Sequence, residues 1–297
     1  MTDPARSDRF LLGCHLSIAN GFPEAVGEAE RLGNTALQLF THSPSVWRMK
    51  PIVPEVAAAF AERRAATGIE FVVVHTMYLL NLASPDDALF ERSVAGLIDE
   101  ARRAALLGID RVVTHLGAHK GAGLDAGIAR IVRALDRWTS ADASGDVRLL
   151  LENTAGSGTT IGSSFGEISS ILESVREPDR FGVCYDTCHG FAAGDDLRTV
   201  DGVDDVLRSA GRTIGVDRIE MIHLNDSASV RGARRDRHAH IGRGEIGAEG
   251  LAAVINHPWL RDLPFVLETP KELDGRPGAD EINLAAVRSL RTEKEGA

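Results

Sequence analysis

Phe71-Val72-Val73-Val74-His75 carries an apolar, β-branched run straight into an imidazole, and other stretches of the chain end in the same way. Arg111-Val112-Val113-Thr114 runs into His115, and Arg148-Leu149-Leu150-Leu151 into Glu152. Phe181-Gly182-Val183-Cys184-Tyr185 ends at Asp186, with His189 in the next turn of chain. Ile219-Glu220-Met221-Ile222 ends at His223, and Pro264-Phe265-Val266-Leu267 at Glu268. Short aliphatic runs of this kind read as strands buried on both faces, as in a parallel sheet. Phe10-Leu11-Leu12-Gly13-Cys14 and Ala36-Leu37-Gln38-Leu39-Phe40 precede them, which brings the expected strands to eight. Helical patterns fill the intervals at 23–32, 54–67, 86–107, 126–143, 165–175, 203–213, 248–255 and 279–290. Eight βα units in 297 residues predict an α/β fold, a single (β/α)₈ TIM barrel with chemistry at the C-terminal ends of its strands. A doubly wound open sheet would gather ligands at one crevice, whereas here the polar residues end six consecutive strands.

Composition sets bounds on this reading. With 43% hydrophobic residues, a chain of this length buries one large core, and the barrel domain is expected over 10–292, with loose polar ends at 1–9 and 293–297. No apolar stretch approaches the roughly 18 residues of a membrane span, and the N-terminal stretch lacks a signal-like apolar region, so a cytoplasmic location without membrane attachment is expected. Cys14, Cys184 and Cys188 are an odd count without a disulfide framework, which fits a reducing compartment.

The strand-end residues suggest a metal site, and a second segment supports it. From His223 to Gly247, H-L-N-D-S…D-R-H-A-H-I-G-R-G-E-I-G crowds imidazole and carboxylate into a stretch with no amphipathic period, around Asp236-Arg237-His238. Mixed nitrogen and oxygen donors at this density suit Zn²⁺. Taken singly, each residue has a plainer reading: a lone strand-end histidine is more often a hydrogen-bonded core residue, and a lone glutamate an ion-pair partner. Recurrence on one rim is what outweighs those readings. His42, His119, His240 and His257 have no such support and read as loop or helix-end side chains, while His15 closes the first strand and would line the pocket.

These segments together resemble endonuclease IV, the zinc-dependent apurinic/apyrimidinic endonuclease family. The matching pieces are Gly13-x-His15-x-Ser17, H-T-M-Y-L-L-N-L-A-S-P from His75, H-L-G-A-H from His115 and L-E-N-T from Leu151. C-Y-D-T-C-H from Cys184, H-L-N-D-S from His223, D-R-H-A-H-I-G-R-G-E-I-G from Asp236 and E-T-P-K from Glu268 complete the series, which spans about Leu11 to Lys271. The resemblance implies three zinc ions, with manganese an acceptable substitute. His75 and His115 would hold one, bridged by Glu152 to a second that Asp186, His223 and Glu268 complete; His189, Asp236 and His238 would hold the third. Bridged ions of this kind can acidify a water and neutralise charge at a phosphoryl group, and Glu152 is the expected catalytic carboxylate. Asn153 and Asn225, each beside a ligand, would orient it.

The implied substrate is duplex DNA carrying an abasic site, cut on its 5′ side to leave a 3′-hydroxyl and a 5′-deoxyribose phosphate; blocked 3′ ends would be cleaned by the same site. A monomer acting on nucleoid DNA in a prokaryote is the matching expectation. Tyr78 and Leu79 match the family's inserting pair, and Arg234 and Arg237 are expected on phosphates. Two positions depart from the family pattern: Ser45-Val46 stand where an Arg-Gln pair is usual, and Ala228 where lysine is usual. Arg231, Arg234 and Arg235 lie near enough to compensate for the lysine. The net charge of −10 argues against a polyanionic partner. Three divalent ions, however, would more than offset the four carboxylates among the ligands Glu152, Asp186, Asp236 and Glu268. Two other functions fit parts of the pattern. A metal-dependent sugar isomerase or epimerase on the same barrel would need no third cluster, and a non-catalytic binder of damaged DNA would be expected to have lost ligands.

Overall fold

The eight expected strands form as seven in chain order, Leu12–Leu16 (β1), Ala36–Leu39 (β2), Phe71–His75 (β3), Arg111–Thr114 (β4), Arg148–Glu152 (β5), Phe181–Asp186 (β6) and Ile219–His223 (β7), followed by an eighth, Phe265–Leu267. Each pairs in parallel with its predecessor, and the eighth pairs with both β7 and β1, closing the barrel. This is a computed structural model describing residues 10–141 and 145–293; the ends 1–9 and 294–297, and the expected helix end at 143, lie outside the described residues.

The outer layer is built from Phe22–Arg31 (α1), Pro54–Ala65 (α2), Asp87–Leu106 (α3), Leu124–Thr139 (α4), Phe165–Leu172 (α5), Thr187–Ala193 (α6), Val200–Thr213 (α7), Gly247–Asn256 (α8) and Ala279–Leu290 (α9). Their starts follow local chemistry. Proline occupies the first turn of α1 and α2, while the side chains of Asp86, Ser164 and Thr199 accept from the first-turn amides of α3, α5 and α7. Gly33 and Gly108, at φ 66° and 67°, take the left-handed turn just after α1 and α3. The inner faces are apolar: Ile131, Ala134, Leu135 and Trp138 of α4 are fully buried, and each large side chain so buried contributes about 1.5–3 kcal/mol. Among the described residues no helix is long and apolar enough to cross a membrane.

Inside the barrel, Ala36, Val73, Val113, Leu150, Cys184, Met221 and Val266 form a separate buried cluster supplied by seven strands. The remaining strand, β1, supplies Gly13, which pairs with Ala36 and Val266; a Cβ there would lie 1.7 Å from the Ala36 carbonyl oxygen. Side chains in a strand alternate between faces, so the next inward position on each strand is two residues further on. Those positions are His15, Gln38, His75, His115, Glu152, Asp186, His223 and Glu268. A single period-two step therefore converts an apolar plug into a ring of polar side chains at the C-terminal mouth.

Candidate metal centre

Glu152 stands at the middle of the ring, 1% exposed. Its Oε2 lies 3.1 Å from His75 Nε2 and 3.5 Å from His115 Nδ1, and its Oε1 lies 3.0 Å from His223 Nδ1 and 3.4 Å from His189 Nδ1. Three sets drawn from the expected ligands converge closely enough to share an ion: His75, His115 and Glu152; Glu152, Asp186, His223 and Glu268; and His189, Asp236 and His238. Asp186, Cys188 and His238 form a fourth, overlapping set. Within each set the donor atoms lie within 4.8 Å of one another. All nine residues expected as ligands thus meet at one mouth, with Glu152 common to two sets.

The third set lies outside the ring and is positioned by different means. Asp186 ends β6 and caps α6, accepting the His189 amide at 2.8 Å, so His189 sits in the first turn of that short helix. His238 comes from a small antiparallel pairing of Asp226–Ser227 with His238–Ala239. Asp226 anchors this excursion from beneath, accepting from the amides of Ser227, Gly244 and Ile246 at 2.8, 2.9 and 3.1 Å. Asp236 then reaches His189 Nε2 and His238 Nε2, each at 3.2 Å.

The outer nitrogens of the imidazoles are engaged by groups that only accept. His75 Nδ1 faces the Thr76 carbonyl at 2.7 Å, His189 Nδ1 the Asn153 carbonyl at 2.9 Å, and His238 Nδ1 the Glu268 carbonyl at 3.0 Å. These contacts fix a proton on Nδ1 and turn each Nε2 toward the cluster, the orientation of metal-binding histidines. His238 Nε2 is buried without a hydrogen-bond partner, although Asp236 and Asp186 oxygens lie 3.2 and 3.7 Å away. An orphaned nitrogen directed at two carboxylates is what a cation would satisfy, and the donor set fits zinc. The expected orienters are in place: Asn153 donates to the Asp186 carbonyl at 3.1 Å, and Asn225 donates to Asp186 Oδ2 at 2.7 Å while accepting from the Glu268 amide at 2.8 Å.

The carboxylates and imidazoles of the cluster shift one another's pKa values. Burial works against the Glu152 carboxylate, but His115, His223 and His75 outweigh it and hold its pKa well below the usual range. Burial likewise opposes charge on His189 and His238, yet the carboxylates around them, Asp186 and Asp236 foremost, raise these imidazoles to about 10 and about 9. His15 is pushed down to about 3, and His115 is lowered as well, in both cases chiefly by burial. Cys188 lies close to Asp186 and His238; burial drives its thiol pKa far upward, and its Sγ sits 3.5 Å from the Arg237 carbonyl.

The residues expected to grip DNA are placed less uniformly. Tyr78 is 60% exposed at the rim, its ring 5.7 Å from His75 and 6.4 Å from His115, whereas Leu79 is half-buried against the core. The Tyr78 amide donates to the Pro44 carbonyl at 3.1 Å, which brings Ser45 and exposed Val46 beside it. Arg234 and Arg237 are exposed and make no ion pair among the described residues; Arg235 and Arg237 border an open depression that also includes Ser157, Ala228 and Asp236. Arg231 is engaged elsewhere, donating to the Gly194 carbonyl at 2.6 Å and Asp196 at 3.2 Å, so of the three arginines expected to replace the lysine only Arg234 and Arg235 are available. Gln38, fully buried in the ring, was not anticipated from sequence; the signal was a lone amide two residues after Ala36 in an otherwise apolar run.

The family described as "Xylose isomerase-like TIM barrel" matches residues 26–292. A protein of Methanoculleus marisnigri named "Probable endonuclease 4" is 45% identical over 280 residues, covering 94% of this chain and 98% of its own. The crystal structure of endonuclease IV from Thermus thermophilus superposes with a TM-score of 0.82 at 38% identity, covering 94% of this chain and 98% of that one. D-psicose 3-epimerase from Clostridium cellulolyticum shares the fold alone, at a TM-score of 0.66 and 15% identity, covering 94% of this chain and 96% of that one. On the family match, the near full-length identity and the superposition together, the chain belongs to the endonuclease IV family of xylose isomerase-like TIM barrels.

Proposed function

We propose that this chain is a DNA-repair endonuclease that hydrolyses the phosphodiester on the 5′ side of abasic sites in duplex DNA. It would leave a 3′-hydroxyl and a 5′-deoxyribose phosphate, and would clear blocked 3′ ends at the same site. The observation that carries this reading is the convergence of nine His, Asp and Glu side chains into three adjoining donor sets around one shared carboxylate. Relatives named endonuclease 4 across nearly the full length support it. Zinc ions bound by these sets would supply an acidified water and neutralise charge at the phosphoryl group.

The chain's own residues would do the rest. Glu152 keeps two donor sets in register by presenting one oxygen to His75 and His115 and the other to His223. Tyr78, exposed beside His75 and His115, would fill the gap in the base stack when an abasic nucleotide turns into the mouth. Arg234 and Arg237 would meet the phosphates flanking the third donor set. A sugar epimerase on this barrel would leave that set, built from His189, Asp236 and His238, without a purpose.

The test is incubation with a duplex carrying one abasic site, with and without chelator, followed by mapping of the product ends. Cleavage on the 5′ side, abolished by chelator and restored by zinc, is expected. Intact duplex under zinc-replete conditions, or a cut on the 3′ side, would overturn the proposal.

A further inference from the structure

Gln38 is the one member of the polar ring that is neither acid nor imidazole, and every contact of its amide stays within the ring. Its Nε2 lies 2.7 Å from Glu268 Oε1 and 3.0 Å from His15 Nδ1, and its Oε1 lies 2.8 Å from His223 Nε2. The orientation of the amide follows from its partners. An ionised carboxylate can only accept, so the NH₂ group must face Glu268. The amide oxygen therefore faces His223 Nε2, which must donate to it. A ligating imidazole is neutral, so the single ring proton of His223 is held on Nε2 and the lone pair is left on Nδ1. Nδ1 is the atom directed into the cluster, 3.0 Å from Glu152 Oε1 and 3.3 Å from Glu268 Oε2. Glu268 is sorted by the same amide: Oε1 is engaged by Gln38, and Oε2 remains in the cluster.

We propose that Gln38 is a positioning residue for the metal shared by His223 and Glu268, selecting the tautomer of one and the free oxygen of the other. The inference rests on reading those two residues as ligands of one ion. Groups that orient ligands in this way typically change metal affinity by about 10–100-fold when removed.

The experiment is a zinc titration of the metal-free full-length chain against a chromophoric chelator, for wild type, Gln38→Met and Gln38→Asn. Gln38→Met keeps the volume and removes the amide; Gln38→Asn keeps the amide and withdraws it from both partners. Either should weaken one bound ion by about 10–100-fold and leave the ions held by His75–His115 and by His189–Asp236–His238 at wild-type affinity. Cobalt loaded at the weakened position should show shifted visible bands, a change that a merely loosened barrel would not produce. If Gln38→Met does not fold, Gln38→Asn decides the matter alone. Wild-type affinity for every ion in the folded variants, or an equal weakening of all ions with unshifted bands, overturns the inference. A wild-type chain that binds no zinc overturns the ligand reading beneath it, and this inference with it.

Discussion

Replacing Glu152 with glutamine is the sharpest perturbation this site allows. The substitution keeps the shape of the side chain and removes one negative charge from a position that serves two donor sets. It also turns one oxygen, now facing two imidazoles, into an NH₂ donor. Which oxygen is lost matters little, because Oε2 lies within 3.5 Å of His75 and His115, and Oε1 within 3.4 Å of His223 and His189. A unit charge acting at about 4 Å under an effective dielectric near 20 is worth about 4 kcal/mol, and that loss corresponds to about a thousandfold in rate. Since the carboxylate serves two sets, a thousandfold is the lower bound expected. Single-turnover nicking of an abasic duplex measures the loss, alongside metal content and duplex affinity, which should survive in part. His257→Ala is the control, because His257 pairs with Asp204 at 3.0 Å in the outer helical layer, far from the mouth. Glu152→Gln turning over as fast as His257→Ala would refute the bridging role.

Elemental analysis of carefully purified protein should find close to three divalent ions per chain, mostly zinc; one ion with full activity would contradict three donor sets. The metal-free chain should be most heat-stable near pH 6.5. His189 and His238, raised to about 10 and about 9, contribute stability that is fully present below 6.5 and lost as pH climbs through those values. His15, lowered to about 3, and His115, also lowered, make stability fall as pH drops below 6.5, because the unfolded chain takes up the protons. A metal-free melting temperature that rose steadily from pH 7 to 10 would contradict the assignment. At the rim, changing both Tyr78 and Leu79 to alanine should raise KM for abasic duplex with little change in kcat, and equal KM values would return that loop to a packing role. Ser45→Arg, placed beside Tyr78, should tighten binding and steepen its salt dependence by up to about one phosphate contact.

The fold and the six donors that end strands were legible in sequence for the same physical reason. Buried parallel strands are continuous apolar runs, so the residue ending each run stands out chemically, and the closed barrel brings all those ends to one mouth. Gln38 escaped because its run continues through Leu39 and Phe40, which made Phe40 look like the strand end. Counting two from Ala36, as from Val73 to His75 or Val266 to Glu268, places it in the ring. Helix α6 escaped because it is only seven residues long and begins directly at Asp186, with no loop to mark it. The engagement of Arg231 could not be read, since its partner Asp196 lies 35 positions away in another loop.

Ser45 and Val46 lie in a loop whose supports are separate from those of the polar ring. The ring is fixed by strand periodicity, and no rim loop changes which side chains face inward. The second and third βα loops are instead fastened to α3. Glu100, 1% exposed, accepts from Thr41 Oγ1 at 2.6 Å and from the Met77 amide at 3.2 Å, and lies 3.0 Å from His42 Nε2. One turn further along, Arg103 donates to Thr41 Oγ1 and its carbonyl at 2.7 and 2.6 Å and to the Lys50 carbonyl at 2.7 Å. This buried network joins the loop carrying Ser45 to the loop carrying Tyr78, and leaving any of its donors unsatisfied would cost about 1–3 kcal/mol. The same two side chains of α3 therefore hold both loops side by side. None of these contacts involves Ser45 or Val46, so under the proposed function insertion would fall to Tyr78, exposed at the mouth.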